Sequence, residues 1–217
     1  MDELDPADMN AARQAFQRQD ETPDELFYRS PRFVTHIDEG AIAAVTQLYR
    51  ELFPTGGRIL DLMSSWVSHL PPEAEYRRVV GLGLNEAELA RNPRLDAYVV
   101  QNLNTTPDLP FEDASFDAAG ITVSVDYLTQ PVAVLHDLGR VLVPGGPVVI
   151  SFSNRCFPSK AVSIWHQLDD AGHLALVQQY LEAAGNWTDI QALDRSPRTL
   201  GRRSGDPLFA VVGRASG

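Results

Sequence analysis

The sequence has a single cysteine, Cys156. An internal disulfide is therefore excluded, which agrees with a reducing compartment. No apolar run approaches the roughly 20 residues of a membrane-spanning helix. The opening residues, Met1 to Asp5, supply neither a basic region nor an apolar signal core. These absences make a cytoplasmic location with no membrane partner the expectation. Basic residues are outnumbered, 18 Lys and Arg against 29 Asp and Glu, for a formal net charge of -11. Such a chain repels phosphate backbones, so nucleic acid is not expected as a partner. Internal repeats and low-complexity linkers are also lacking, and nothing splits the chain into two folding units.

What is present fits one domain with a sizeable core: 217 residues, 44% of them hydrophobic. Much of the negative charge sits at the front. Residues 1–25 hold eight acids (Asp2, Glu3, Asp5, Asp8, Asp20, Glu21, Asp24, Glu25) against Arg13 and Arg18. They read as an acidic, partly mobile arm, of which residues 1–20 are expected to be dispensable for folding, ahead of a domain over 26–217; an acidic partner-binding tail is the other reading.

Within the domain, Ile42, Val45, Leu48, Tyr49 and Leu52 recur at helical spacing and predict a helix over 39–52, stopped by Pro54, Gly56 and Gly57. A short helix is also expected within 7–19. Short apolar runs predict strands at 58–63, 79–84, 97–100, 116–123 and 147–152. Helices are expected at 86–91, 131–142, 159–168 and 173–184. Trp187 to Leu193 and Leu208 to Gly213 predict two closing strands in a final hairpin. Strands alternating with helices imply a mostly parallel sheet covered on both faces.

Two stretches carry a family resemblance. Leu109 to Asp117 reads LPFEDASFD, and Leu138 to Pro147 reads LGRVLVPGGP. Together, and with one strand and one helix between them, they resemble signatures of small-molecule S-adenosylmethionine-dependent methyltransferases, over roughly residues 26–214. The resemblance implies a Rossmann-like class I methyltransferase fold: a mostly parallel seven-stranded sheet, helices on both faces and a C-terminal antiparallel hairpin. Both motifs have structural roles. The Pro144-Gly145-Gly146 turn joins helix to strand, and Phe111 and Phe116 suit the core.

The fold implies a ligand at the carboxyl ends of the strands, and the resemblance implies S-adenosylmethionine as cofactor, with no metal. Here the sequence departs from the family. The acid after the first strand is present as Asp61, but the expected glycines fall on Met63, Ser65 and Val67. Because Met63 and Val67 take a left-handed turn only at a cost, a different loop path is expected. Gly83 stands where the family places a ribose-binding acid, leaving Asn85 or Glu86 to reach that group. Asn102 replaces the adenine-site aspartate. The implied cofactor set is Asp61, Met63, Ser64, Ser65, Gly83, Leu84, Asn85, Asn102, Leu103 and Thr122.

Four segments are expected around the same mouth. Phe27 to Asp38 offers Tyr28, Arg32 and His36 to the methionine carboxylate or the substrate; in the structural reading Asp38 caps the next helix and Phe33 staples it. After the fourth strand, alternation puts Thr122, Ser124 and Asp126 on one side. Asp126 and Tyr127 are then the catalytic candidates, Asp126 as general base or else a turn cap, and Tyr127 lining the pocket. Asn154 to His166 reads as a lid with Asn154, Arg155 and Trp165 toward the substrate and Arg155 and Lys160 suited to an anion. Cys156 reads as a partly buried thiol and His166 as a lid or surface residue. Trp66 either stacks on a ligand or plugs the space left by the missing glycines. His136 and His173 carry no assigned role.

The expected function is in-line methyl transfer from S-adenosylmethionine to a small-molecule acceptor. The alternative is a binding or scaffold protein with a remodelled pocket, favoured by the broken glycine motif. A nicotinamide oxidoreductase lacks the glycine fingerprint and the ribose acid it would need.

Overall fold

The computed structural model describes residues 14–217. The helix expected within 7–19 lies mostly outside them. In chain order the elements are α1 (Asp24–Phe27), α2 (Glu39–Leu52), β1 (Arg58–Leu62), β2 (Arg78–Gly83), α3 (Glu86–Leu89), β3 (Ala97–Val100), β4 (Ala118–Thr122), α4 (Pro131–Val141), β5 (Pro147–Phe152), α5 (Asp170–Ala184), β6 (Trp187–Asp194), β7 (Arg198–Thr199), β8 (Arg202–Arg203) and β9 (Phe209–Ala215).

Seven strands form one sheet in the order β3-β2-β1-β4-β5-β9-β6. The first five are mutually parallel, and β9 runs antiparallel to both β5 and β6. The order reverses between β1 and β4, which opens a crevice at their carboxyl ends. The closing hairpin is present, with the small β7–β8 ribbon inserted at its turn.

Alternate strand residues feed two cores. On one face Ile59, Val79, Ala118, Val149 and Val212 pack with Val45, Leu48 and Tyr49 of α2. On the other, Leu60, Leu82, Ile121 and Ile150 pack with Leu135 and Leu138 of α4 and Val177 and Leu181 of α5. Removing a side chain such as Leu48 or Leu135, both fully buried, costs about 2–5 kcal/mol.

The helix ends follow the local sequence. Asp38 accepts from Ala41 N at 2.9 Å and starts α2. Pro131 occupies the first turn of α4. Gly185 closes α5 at φ +78°. Arg140 explains both motifs structurally: it holds Asp137 and Asp113 and donates to the carbonyls of Phe111 and Leu109. It thereby clamps the loop before β4 onto α4.

Two expectations need correction. Residues 159–168 form turns and a 3-10 turn at Trp165–Gln167 rather than a helix. Residues 14–25, the described part of the arm, are docked. Ser163 N and Ile164 N donate to the carbonyls of Gln17 and Ala15 at 2.8 and 2.9 Å, and Phe16 packs on the core. Lys160, fully buried, donates from Nζ to the carbonyls of Asp20 and Thr22 and lies 3.3 Å from Asp24 Oδ1. Arg18 joins Asp24 at 2.7 Å. The partners of this buried cation lie some 140 residues away, which is why its burial leaves no local trace in the sequence.

Candidate functional site

The carboxyl ends of β1 to β5 and the segment 24–36 enclose a cavity of about 310 Å³. Each strand outlet contributes.

At the β1 outlet Asp61, Met63, Ser64 and Ser65 all line the cavity. Asp61 is buried, its Oδ2 accepting from Ser64 Oγ at 2.6 Å. Burial pushes its carboxyl up to about 6, partly offset by the Ser64 and Ser68 hydroxyls. Met63 takes φ +57°. The expectation that this loop avoids a left-handed turn is therefore corrected: methionine adopts the conformation usually left to glycine, at a cost of about 1–2 kcal/mol. Val67 lines the cavity without a positive φ, whereas His69 has φ +50°. Burial lowers the His69 imidazole to about 4, so it stays neutral.

The β2 outlet explains the missing acid. Ser64 N donates to Leu82 O at 2.8 Å, which lays the β1 loop across the end of β2. A Cβ at Gly83 would run into the Ser64 carbonyl oxygen. Glycine is required there because backbone approaches backbone. Leu84 and Asn85 line the cavity beyond it. The Asn85 amide is already used: Oδ1 caps α3 by accepting from Glu88 N, and Nδ2 donates to the carbonyls of Tyr28 and Arg29. Sequence reasoning missed Glu88, a buried carboxylate facing the cavity, whose Oε1 accepts from Arg32 N at 2.6 Å. Glu86, the other ribose candidate, is absent from the lining.

After β3, Gln101, Asn102, Leu103 and Asn104 line the cavity. Asn102 donates to Glu25 and accepts from Asn104 N. Asn104 donates to Asp24 Oδ2 and to the Tyr127 carbonyl. Asp24 also lines the cavity and is 3% exposed. Nothing in an acidic arm marked it as a buried residue.

After β4, Thr122, Val123, Ser124 and Tyr127 line the cavity. Thr122 Oγ1 shares a hydrogen bond with Tyr49 Oη, the Ser124 hydroxyl is buried without a partner, and Val123 sits at φ +45°. Asp126 is corrected: it lies behind the cavity wall, 3% exposed, with Oδ2 unpartnered. Burial raises its carboxyl to about 8, so at neutral pH it is protonated and out of reach. The Tyr127 phenol accepts from Phe157 N at 2.8 Å, and burial holds it protonated.

The segment after β5 is divided. Arg155, Cys156 and Phe157 line the cavity. Arg155 is engaged by Asp206 at 2.8 Å and remains largely exposed. Burial pushes the Cys156 thiol up to about 11, which leaves it a poor nucleophile. Three lid assignments are corrected. Asn154 is exposed and does not line the cavity. Trp165 is a core residue, 4% exposed and stacked on His173 at 4.0 Å. Lys160 anchors the N-terminal segment and faces no ligand. His166 bonds the Pro158 carbonyl.

Tyr28, Arg32 and His36 line the cavity from the N-terminal side. Trp66 neither lines the cavity nor plugs it. Its indole N–H donates to Val34 O, and its ring meets Phe33 edge-on. The segment 24–36 is thus tied to the outlets of β1, β2, β3 and β5. Among the described residues, no helix is long and apolar enough to cross a membrane.

Known proteins agree with this architecture. A family profile described as "Methyltransferase domain" matches residues 63–150. A demethylmenaquinone methyltransferase of Paenarthrobacter aurescens is 30% identical over 118 residues, which cover 52% of this chain and 44% of that protein. Another, from Clavibacter sepedonicus, is 36% identical over 107 residues, covering 46% and 43%. The matches span less than half the length of these relatives. Among solved structures, a chain from the complex of the Haloferax volcanii Trm112 methyltransferase activator with a methyltransferase superposes with TM-score 0.60 at 15% identity, covering 89% of this chain and 93% of that one. The [4+2]-cyclase SpnF gives 0.58 at 17%, covering 86% and 89%. An S-adenosylmethionine-dependent methyltransferase of Mesorhizobium loti gives 0.56 at 19%, covering 79% and 97%. With the strand order, the cavity at the switch point and these likenesses together, the chain has the class I S-adenosylmethionine-dependent methyltransferase fold.

Proposed function

We propose that the protein is an S-adenosylmethionine-dependent methyltransferase acting on a small-molecule acceptor. The observation that carries this reading is the β1 outlet. A buried carboxylate, Asp61, faces the cavity beside a left-handed Met63, over a Gly83 that only glycine can fill. Strain and a buried acid kept at one place are costs that a bound ligand explains.

The residues present fit the cofactor. Asp61 would hold its ammonium group, and Glu88, with one oxygen uncommitted, would accept from the ribose hydroxyls in place of the Asn85 amide. Leu84, Leu103 and Leu128 offer apolar surface for the adenine. When bound, S-adenosylmethionine supplies an electrophilic methyl group. The chain's part is positioning. Thr122 and Ser124 present hydroxyls at the β4 outlet, Tyr28 and Phe157 exclude water, and the protonated Asp126 and Tyr127 leave no ionised base among them. That suits an acceptor that reaches the site already deprotonated. The compound in the curated relatives' name, demethylmenaquinone, is one candidate.

A second reading, a binding protein without methyl transfer, is favoured by one observation: the side-chain amides of Asn85 and Asn102 are already committed, largely to the N-terminal segment. The fold also serves a cyclase, so fold alone does not decide. Calorimetry with S-adenosylmethionine and S-adenosylhomocysteine separates the readings. Stoichiometric binding of both is expected, and binding of neither overturns the proposal.

A further inference from the structure

Among the described residues, one cation at the cavity wall has no counter-ion. The Arg32 guanidinium lies 4.7 Å from the Phe27 ring centroid, 5.5 Å from Tyr28 and 5.0 Å from Phe157. Its Nη2 donates to the Phe27 carbonyl at 3.0 Å. Its Nη1 is buried and has no partner, and among the described residues no carboxylate forms an ion pair with it. Glu88, an acid in contact with this residue, is engaged by the Arg32 backbone N–H instead. A buried guanidinium N–H left unpaired costs free energy that an anionic acceptor would recover.

The rings around it form a second feature. Phe157, which follows β5, stacks on Tyr127, which follows β4, with centroids 5.9 Å apart and planes 30° apart. Phe27, Tyr28 and His36 meet Phe157 edge-on at 5.6, 6.3 and 5.2 Å. This box stands at the β4 and β5 outlets, and Asn104 of the β3 loop donates to the Tyr127 carbonyl at 3.0 Å. Aromatic walls favour a flat π surface in offset or edge-on contact, and a guanidinium held over rings is geared to stack as well as to donate.

We propose that Arg32 and this aromatic box form the acceptor subsite, selective for an aromatic ring that carries an anionic oxygen, a carboxylate or a phenolate, with Arg32 Nη1 donating to that oxygen. The proposal rests on the methyltransferase reading and assigns the acceptor's chemical class. Such an acceptor brings its own ionised oxygen, consistent with a β4 outlet whose one acid, Asp126, is held protonated by burial. Arg32 is then a specificity-determining residue.

The test uses the full chain saturated with S-adenosylhomocysteine and ligand-observed NMR titrations of benzoate, benzamide and cyclohexanecarboxylate. Benzoate should bind at least tenfold more tightly than either the neutral aromatic or the non-aromatic anion. Arg32→Gln should abolish that preference over benzamide, and Phe157→Leu the preference over cyclohexanecarboxylate. Both variants should keep S-adenosylhomocysteine affinity within about threefold, which reports an intact cofactor site and fold. The proposal is overturned if benzoate shows no preference. It is also overturned if Arg32→Gln loses S-adenosylhomocysteine while still binding 5′-methylthioadenosine, which lacks the carboxylate; Arg32 would then serve the cofactor. If the wild type binds no S-adenosylhomocysteine, the methyltransferase reading fails. Benzoate selectivity in the free protein then decides this inference separately.

Discussion

The two ends of the sheet solve the same backbone problem differently. At the amino end, the turns into β1, β5 and β6 place Gly56, Gly145 and Gly185 at φ between +72° and +78°, with open space around each. At the carboxyl end, around the cavity, Met63, His69 and Val123 take φ of +57°, +50° and +45°. Ala114, before β4, and Asp189, at the bulge near the start of β6, are exceptions at the amino end, and Gly201 and Gly205 of the β6–β9 connection are left-handed glycines at the other. Charge follows the same division. The buried Asp24, Asp61, Glu88, Asp126 and Lys160 all lie at or behind the cavity, whereas Arg58–Asp117 and Arg140–Asp137 at the other end keep contact with solvent. One end is built for stability, with relaxed turns and hydrated ion pairs. The other retains strain and buried charge, as functional sites do.

The sharpest way to break this contrast is to remove a buried charge. Lys160→Met leaves Asp24 and two carbonyls facing each other without the ammonium. It should cost about 3–5 kcal/mol in chemical denaturation, while Arg58→Met at the other end should cost under about 1 kcal/mol. Equal losses would erase the distinction. Next, Gly83→Val meets Ser64 backbone and should cost about 3 kcal/mol; Gly145→Val, with space but a left-handed φ, should cost about 1–2 kcal/mol. A tolerated Gly83→Val would mean that the β1 loop does not cross β2. The smallest effect is a gain. Met63→Gly should recover about 1 kcal/mol of backbone strain and weaken cofactor binding through the loosened loop. A variant that is both less stable and fully competent to bind would show that Met63 is ordinary core.

The relaxed end was also the legible one. The 39–52 helix, the strands at 97–100 and 147–152, and the Pro144-Gly145-Gly146 turn follow from periodicity and turn chemistry alone, because each is decided within a few residues. At the strained end local rules mislead. A methionine after Asp61 argues against a left-handed turn, yet the Ser64 bond to Leu82 and the approach over Gly83 impose one. Lys160 and Trp165 read as lid residues because their partners, Asp20, Thr22 and Asp24 for one and Phe152 and His173 for the other, come from elsewhere in the fold. Alternation after β4 made Asp126 a candidate base, but its burial depends on what packs behind β4, and that makes it a protonated acid outside the cavity lining. Most of the cavity lining at β1 to β4 was nevertheless nameable, since strand ends fix which residues face the crevice.

The central claim is that Asp61 is a buried acid retained to hold a ligand's cation. The direct test is the pH dependence of S-adenosylmethionine affinity, by calorimetry, in the wild type and Asp61→Asn. With its carboxyl raised to about 6 by burial, Asp61 must ionise to bind. Affinity should therefore climb roughly tenfold per pH unit below about 6 and level off above it. Asp61→Asn should bind weakly and lack that step. A wild-type profile that is flat from pH 5 to 8, or a variant that keeps full affinity, would contradict the account.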